Sequence, residues 1–133
     1  MQLEKIDIFT KDRYELVDIT GKIKEIIKQS KIQNGLAIIF VPHSTAGIIL
    51  TENEEGLKKD WLKFLEKIVS NFDFNHNKID DNADSHILSG IIGQEKILLI
   101  EDGSLVQGTW QQIFLAEFDG PRTRTIIVKI ILC

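Results

Sequence analysis

The stretch RTRTIIVKIIL, residues 122–132, closes the chain and is rich in β-branched residues. Such residues favour extended backbone, so the stretch predicts a long β-strand. Turn sequences precede it, EDG at residues 101–103 and DGP at residues 119–121, and KILLIE at residues 96–101 has the content of another strand. These clustered hairpins predict an α+β fold with a mixed, largely antiparallel sheet.

The first half of the chain predicts four more strands. Residues 3–9 alternate loosely between apolar and polar side chains, and YELVDIT at residues 14–20 indicates a second strand. LAIIFV, residues 36–41, is a nearly continuous apolar run, which is typical of a strand buried on both faces. Pro42 ends that strand, and GIILT at residues 47–51 predicts the next one.

Three segments with helical periodicity are expected to pack on the sheet. The first has Thr20 as its expected N-cap and ends at the turn sequence NG, residues 34–35. The second places apolar residues at helical spacing: Leu57, Trp61, Phe64, Leu65, Ile68 and Phe72. The third runs from about residue 82 to residue 92, with Gly93 as its stop. We therefore expect one compact α+β domain over residues 1–133, with two or three helices.

Composition argues against several classes of protein. The formal net charge of −4 disfavours a nucleic-acid binder, because neutralising phosphates requires a basic face. No apolar run approaches the length that spans a bilayer, so we expect no membrane partner. The only cysteine, Cys133, cannot form an internal disulfide, which indicates a cytoplasmic setting. The phosphate-binding loops GxGxxG and GxxxxGK[ST] are absent.

The three histidines all lie at predicted element ends or in loops, where sites usually form on a rigid scaffold. His43 follows Pro42 at a strand end, His76 lies in the polar loop DFNHNK, and His86 lies in the first turns of the third helix. Their spacing matches no compact zinc signature such as HExxH. A shared metal or catalytic site and three unrelated surface histidines both remain open at this point.

The stretch DDNADSH begins the third helix. Asp81 as N-cap and Asp84 at the third helical position would form an acidic capping box. Asn82, His86 and Ser89 then share one helical face. The neighbouring face is apolar and consists of Ala83, Ile87, Gly90 and Ile91. Capping explains the acids but not the shared stripe, so Asn82 and His86 are our candidates for a catalytic role.

Two further groups of residues could hold a phosphate. Ser44 and Thr45 follow His43 in a turn that either binds an anion or forms a local Ser/Thr turn. Arg122 and Arg124 alternate along the last strand, and two neighbouring guanidiniums suit a phosphate. Salt bridges to acids of the same hairpin are the alternative for the two arginines: Glu117 and Asp119.

Two smaller signals complete the candidate site. Glu52 lies closest to the end of the strand GIILT and is our candidate for a general base, with Asp84 as the other acid considered. Trp110 and Gln111, which we place in a strand, could form a flat pocket wall with an amide group.

Three motifs together resemble one family. HSTAGIILTENEE, DDNADSHILSGIIG and GTWQQIFLAEFDGPRTR are similar, in this order and spacing, to the motifs of the YjbQ-like family, whose members are described as secondary thiamine-phosphate synthases. The resemblance covers essentially the whole chain. Ala116 departs from it, because many relatives carry a cysteine at that position.

The resemblance implies a compact α+β fold, a homotrimer and a site at which three histidines converge. His43, His76 and His86 would bind a divalent metal, zinc by the softness of imidazole ligands or magnesium for the synthase reaction, or would bind an anion. The implied reaction joins a pyrimidine pyrophosphate to a thiazole phosphate. A zinc-dependent hydrolase of a phosphorylated metabolite and a non-catalytic, metabolite-binding trimer are the alternatives.

Overall fold

Two antiparallel sheets organise the computed structural model, which describes residues 2–133. The first sheet has five strands, in the spatial order β1 (Gln2–Phe9), β8 (Thr123–Leu132), β3 (Gly35–Phe40), β5 (Glu95–Glu101) and β6 (Ser104–Leu105). The second sheet has three strands, in the order β2 (Glu15–Asp18), β7 (Gln112–Glu117) and β4 (Ala46–Thr51). The long C-terminal strand is thus confirmed, and it lies between β1 and β3.

Three helices complete the fold, as the sequence predicts: α1 (Thr20–Ser30), α2 (Glu55–Val69) and α3 (Ala83–Ile92). A short 3-10 helix, Asn75–Lys78, connects α2 to α3. The α+β prediction is therefore confirmed, although the strands form two antiparallel sheets rather than one mixed sheet. Over residues 2–133, no helix is both long and apolar enough to cross a membrane.

The core has two parts because the three-stranded sheet is covered on both faces. On one face, its side chains pack against the five-stranded sheet and against Ile23 and Ile27 of α1. On the other face, Phe114 and Ala116 of β7 pack with Leu65 of α2 and Leu88 of α3. Burial of these apolar side chains is the main force that fixes α2 and α3 on the second sheet.

The other face of the five-stranded sheet is uncovered. In β3, buried residues alternate with half-buried or exposed ones, so the prediction that this strand is buried on both faces is wrong for the isolated chain. We call the uncovered surface the outer sheet face. The central part of its apolar surface comes from three neighbouring strands: Leu36, Ile38, Phe40, Ile97, Leu99, Ile127 and Ile131.

Several helix ends differ from the prediction. Thr20 is the first residue of α1 rather than its cap, because its hydroxyl accepts the backbone N–H of Ile113 at 2.7 Å. α1 ends at Ser30, followed by Lys31 in the left-handed region, so it stops before the NG turn. α2 ends at Val69, which leaves Phe72 outside it. In each case a tertiary contact or a local turn replaces the expected signal.

Candidate functional site

A polar cavity of about 390 Å³ lies where the β3–β4 loop, the start of α3 and the β7–β8 turn meet. The structure brings most of the predicted site residues together around it, with two acids that the sequence did not single out. The lining consists of His43, Ser44, Thr45, Asp80, Asn82, His86, Asp119, Arg122 and Arg124.

Strand register explains why such distant segments meet. β4 pairs antiparallel with β7 so that Ala46 is opposite Glu117, which brings the HST turn beside the end of β7. Two serines of α3 then fix that helix to both strands. The Ser89 hydroxyl donates to the carbonyl of Ala46 and the Ser85 hydroxyl to that of Phe118, each at 2.5 Å. The beginning of α3 is thereby held at the cavity.

A buried ion pair forms the floor of the cavity. The side chains of Arg124 and Glu117 are 1% and 0% exposed. Arg124 Nε donates to Glu117 Oε1 at 2.9 Å, and Nη2 donates to Oε2 of the same carboxylate. Nη2 also donates to the hydroxyl of Thr45 at 2.8 Å. The predicted alternative of a salt bridge is confirmed for Arg124, whose Nε and Nη2 are engaged in this network.

The same network keeps Glu117 ionised. Burial raises the pKa of this carboxyl, but hydrogen bonds from Arg124, from the backbone N–H of Asp119 and from the hydroxyl of Thr10 outweigh burial. The pKa of Glu117 is therefore below the usual glutamate value. A buried carboxylate that accepts several hydrogen bonds favours its charged form in this way.

Arg122 also forms the predicted salt bridge, but in a different environment. Its Nη2 lies 3.1 Å from Asp119 Oδ2, and its Nε donates to the carbonyl of Asp119 at 2.8 Å. The Arg122 side chain is 49% exposed and lines the cavity. Both arginines line the cavity, and Arg122 is the more exposed of the two.

His43 is held in a defined state by the backbone of β8. The N–H of Thr125 donates to His43 Nε2 at 3.1 Å, so a neutral His43 carries its proton on Nδ1. Burial lowers the pKa of His43, and the positive charge of Arg124 lowers it further. His43 is therefore neutral near pH 7, with Nε2 occupied as an acceptor.

His76 and His86 lie together beside the cavity. Their ring centroids are 5.0 Å apart with the rings nearly perpendicular, and His76 Nε2 is 3.0 Å from Asn82 Oδ1. His86 lines both the polar cavity and an adjacent, more apolar cavity of about 270 Å³, whereas His76 lines only the latter. Between residues 2 and 133, no three His, Cys, Asp or Glu side chains are grouped so that they could hold a metal ion. The three histidines, as placed, do not fit a shared metal.

Comparisons with known proteins match nearly the whole chain to one family. The family model for UPF0047 protein YjbQ-like matches residues 4–132. The chain belongs to the YjbQ-like UPF0047 family. A UPF0047 protein of Methanocaldococcus jannaschii is 47% identical over 97% of this chain and 94% of its own length. UPF0047 protein YugU of Bacillus subtilis is 36% identical over 96% and 98%.

Solved structures agree with this membership. A YbjQ-like protein of unknown function from Sulfolobus solfataricus superimposes with a TM-score of 0.97 at 42% identity, over 99% of this chain and 97% of that one. A hypothetical protein from Aeropyrum pernix K1 gives a TM-score of 0.97 at 33% identity, over 100% of both chains. The fold and the family are therefore shown.

Three residues of the YjbQ-like motifs lie away from the cavity. β4 and β7 are antiparallel, and Thr51 pairs with Gln112 at the end opposite to Ala46 and Glu117. At that far end, Glu52 directly follows β4, and Trp110 and Gln111 directly precede β7. Five residues of strand separate the two ends, about 17 Å. Within one chain, Glu52 therefore cannot act as the base for this cavity. Trp110 and Gln111 cannot form the wall of the cavity, and they lie in a turn rather than in a strand as predicted.

The start of α3 also needs correction. Its N-cap position is Asn82 rather than Asp81, so the predicted acidic capping box is wrong. Asp84 faces another surface, where it pairs with Arg13 at 2.8 Å and accepts from the Tyr14 hydroxyl at 2.5 Å. Asp84 therefore cannot be the base at the cavity.

The predicted stripes of α3 are rotated in the structure. Ser89 is buried, so it does not share an exposed face with His86. Ile87 and Ile91, assigned to the apolar inner face, are exposed. The face that packs on the sheet is the one that carries Ser85 and Ser89. Because these side chains are small, α3 approaches the sheet closely enough for their hydroxyls to donate to the carbonyls of Phe118 and Ala46.

Sequence reasoning did not predict that two acids line the cavity, Asp80 and Asp119. Both stand inside the motifs already quoted, Asp80 at the start of DDNADSH and Asp119 in the DGP turn. The sequence indicates Asp119 only as a salt-bridge partner of the arginines, and capping is sufficient to explain Asp80, so only the tertiary structure places both acids at the cavity.

We expect removal of Arg124 to destabilise the protein strongly. Arg124→Leu leaves the buried carboxylate of Glu117 unpaired, which costs about 3–5 kcal/mol in the free energy of unfolding. Arg122→Leu is the control, because it breaks a half-exposed ion pair on the same turn and should cost less than about 1 kcal/mol. Urea denaturation at neutral pH measures both; equal losses in the two variants would contradict the central role of the buried pair.

Acid should weaken the same interaction in the wild-type protein. Because the pKa of Glu117 is lowered on folding, its contribution is complete above the usual glutamate pKa of about 4.3 and is lost as the pH falls through the lower folded value. Glu117→Gln has no such titration, so its stability should decline less steeply over that acid range. Parallel acid profiles for the two proteins would show that Glu117 is not the group responsible.

Proposed function

We propose that the polar cavity binds a small phosphorylated metabolite and that the protein is an enzyme acting on such compounds. The observation that carries the proposal is the convergence of hydrogen-bond donors on one cavity. Arg122, the exposed hydroxyl of Ser44 and the neutral imidazole of His43 all line it. Its volume of about 390 Å³ is within the range of small-molecule sites.

The chemistry of the donors favours an anion. A guanidinium has five N–H groups, and Asp119 accepts from Arg122 through Nε and Nη2 only. The remaining N–H groups of Arg122 suit phosphate oxygens. His43 adds a donor, because acceptance at Nε2 leaves its proton on Nδ1. Arg124 lines the floor of the same cavity, where its Nε and Nη2 are held by Glu117 and Thr45.

The finer proposal is the reaction implied by the family resemblance, in which a pyrimidine pyrophosphate and a thiazole phosphate are joined. Release of pyrophosphate develops negative charge on the leaving oxygen, and donors fixed in advance around that oxygen stabilise it. Arg122 and His43 are the residues that would do so. His86, which lines both cavities, is the candidate for proton exchange with the substrate. We place this activity in the cytoplasm, as the single cysteine indicates.

Zinc-dependent hydrolysis is the less favoured alternative. It requires His43, His76 and His86 around one ion, but His76 does not line the polar cavity and His43 Nε2 accepts a backbone N–H. If a metal did bind after rearrangement, it would supply a Lewis acid for the phosphate. The residues as placed favour direct recognition of the anion by protein donors.

We expect Arg122→Ala to weaken binding of inorganic pyrophosphate at least about tenfold, because it removes charge-assisted hydrogen bonds. Arg13→Ala is a matched control: that side chain is 48% exposed and paired with an acid, but lies on another surface. Isothermal titration measures the affinities, and turnover of the two phosphorylated substrates tests the reaction.

His86→Ala should lower kcat by about 10²–10⁴-fold if His86 transfers a proton. Equal turnover in wild type and His86→Ala would refute the synthase role.

Metal analysis distinguishes the two candidate activities. We expect protein purified without added metal to contain far less than one zinc per chain, with no change in His76→Ala, because the histidines do not form one ligand set. Near-stoichiometric zinc that disappears in His43→Ala and His86→Ala would replace our proposal with the hydrolase. Elemental analysis of the three variants beside the wild type gives the answer.

We propose further that the protein is a homotrimer, as the family resemblance implies, and that the outer sheet face lies between subunits. Ile97 and Leu99 are 60% and 56% exposed in the single chain, next to Phe40 and Ile38 on β3. A contiguous exposed apolar patch of this kind marks an interaction surface. A non-catalytic, metabolite-binding trimer would use the same surface.

Analytical ultracentrifugation should give three times the 15.2 kDa mass of the chain for the wild type. Leu99→Lys should lower that mass, because a charged side chain cannot be buried without a partner. Ile79→Lys is the control, since Ile79 is 81% exposed in the loop before α3 and does not belong to the sheet. A wild-type protein that sediments at the mass of one chain would exclude the trimer.

A further inference from the structure

Asp119 is a carboxylate in a cavity that we propose to bind anions, and a free carboxylate there would repel them. It is not free, however. Asp119 Oδ2 accepts from Arg122 Nη2 at 3.1 Å and from Asn82 Nδ2 at 3.0 Å. Its carbonyl accepts from Arg122 Nε at 2.8 Å, and its own N–H donates to Glu117 Oε2 at 2.9 Å. Asp119 is thus anchored to the buried ion pair and bonded to two polar side chains of the cavity.

The contacts to Arg122 determine how that arginine can meet a ligand. The carbonyl of Asp119 accepts from Nε, and its carboxylate accepts from one N–H of Nη2. Together the two contacts fix the plane of the Arg122 guanidinium, although the side chain is half-exposed. Both N–H groups of Nη1 remain available for another acceptor. A long arginine side chain that is ordered before binding loses less conformational entropy when the ligand arrives.

The contact to Asn82 determines a second orientation. Because Nδ2 of Asn82 donates to Asp119, its Oδ1 is left as the acceptor. The group that faces Oδ1 is Nε2 of His76, at 3.0 Å. A ring nitrogen that faces an acceptor must carry a proton, so neutral His76 is the Nε2–H tautomer. Asp119, Asn82 and His76 form one chain of hydrogen bonds.

We propose that Asp119 is a positioning residue for anion recognition: it orients Arg122 toward the ligand and, through Asn82, sets the tautomer of His76. The inference rests on the proposed function, because it assigns Asp119 a role in the same anion site. It makes a prediction opposite to simple electrostatics. Removing a negative charge from an anion site should strengthen binding, whereas removing a positioning carboxylate should weaken it.

The first test is isothermal titration of the full-length chain with inorganic pyrophosphate. Asp119→Ala should weaken binding about two- to tenfold, the cost of ordering one flexible side chain. Asp119→Asn keeps an acceptor oxygen and should recover most of the affinity. Asp81→Ala is the matched control, since Asp81 is an exposed acid beside the cavity that neither lines it nor bonds to Arg122. Its loss should leave binding unchanged or strengthen it by about two- to threefold, the size of an exposed charge interaction.

The second test needs no ligand. Nitrogen-15 chemical shifts of His76 in the free protein, at a pH well above the usual histidine pKa of about 6.5, report which ring nitrogen carries the proton. We expect the Nε2–H tautomer in wild type and in Asp119→Asn, and a mixture of tautomers in Asp119→Ala. Unchanged amide spectra away from the cavity would confirm that Asp119→Ala remains folded.

The outcomes separate this inference from the proposed function. No binding of pyrophosphate by wild type would remove the anion site itself, and with it the role of Asp119 in recognition. Normal binding by wild type, with Asp119→Ala binding as tightly as Asp81→Ala, would overturn the positioning role alone. A His76 tautomer that is the same in wild type and Asp119→Ala would overturn the hydrogen-bonded chain through Asn82.

Discussion

The buried ion pair between Arg124 and Glu117 is the interaction on which the rest of this site depends. A charged group removed from water is costly unless a partner and additional hydrogen bonds compensate it. Here each ion is the partner of the other, and hydroxyls of Thr10 and Thr45 complete the set. Those four side chains come from the segment after β1, the loop before β4, the end of β7 and the start of β8, so the pair fixes how both sheets meet at one edge.

The position of the cavity follows from that constraint. Asp119 is two residues beyond Glu117 and donates its N–H to the buried carboxylate, which sets the direction of the β7–β8 turn and of Arg122. Thr125, one residue beyond Arg124, donates its N–H to His43. The buried ion pair and the lining of the cavity therefore depend on neighbouring residues of the chain. The same motif carries both because the residues of the ion pair and of the turn lie close together along the chain, within residues 117–124.

The periodicity of apolar residues made much of the fold predictable, whereas local motifs predicted the arrangement of the site less well. The β-branched run of β8 and the apolar spacing of α2 indicated those elements because burial acts on each residue in turn. Roles that depend on a distant partner were less accessible. Thr20 and Asp84 look like caps in the sequence, yet the structure bonds them to Ile113 and Tyr14. Arg122 and Arg124 look equivalent in the sequence, and only Arg124 is buried.

The sequence by itself determined the α+β class, the family and the set of polar residues from which the site is made, because these depend on pattern and identity along the chain. The tertiary structure alone decided which of those residues meet. Strand register places Glu52 and Trp110 at the far end of the β4–β7 pair and brings Asp119 to the cavity. It also buries Arg124 beside Glu117 and leaves Arg122 half-exposed, because a buried charge needs a partner that only the folded chain can supply.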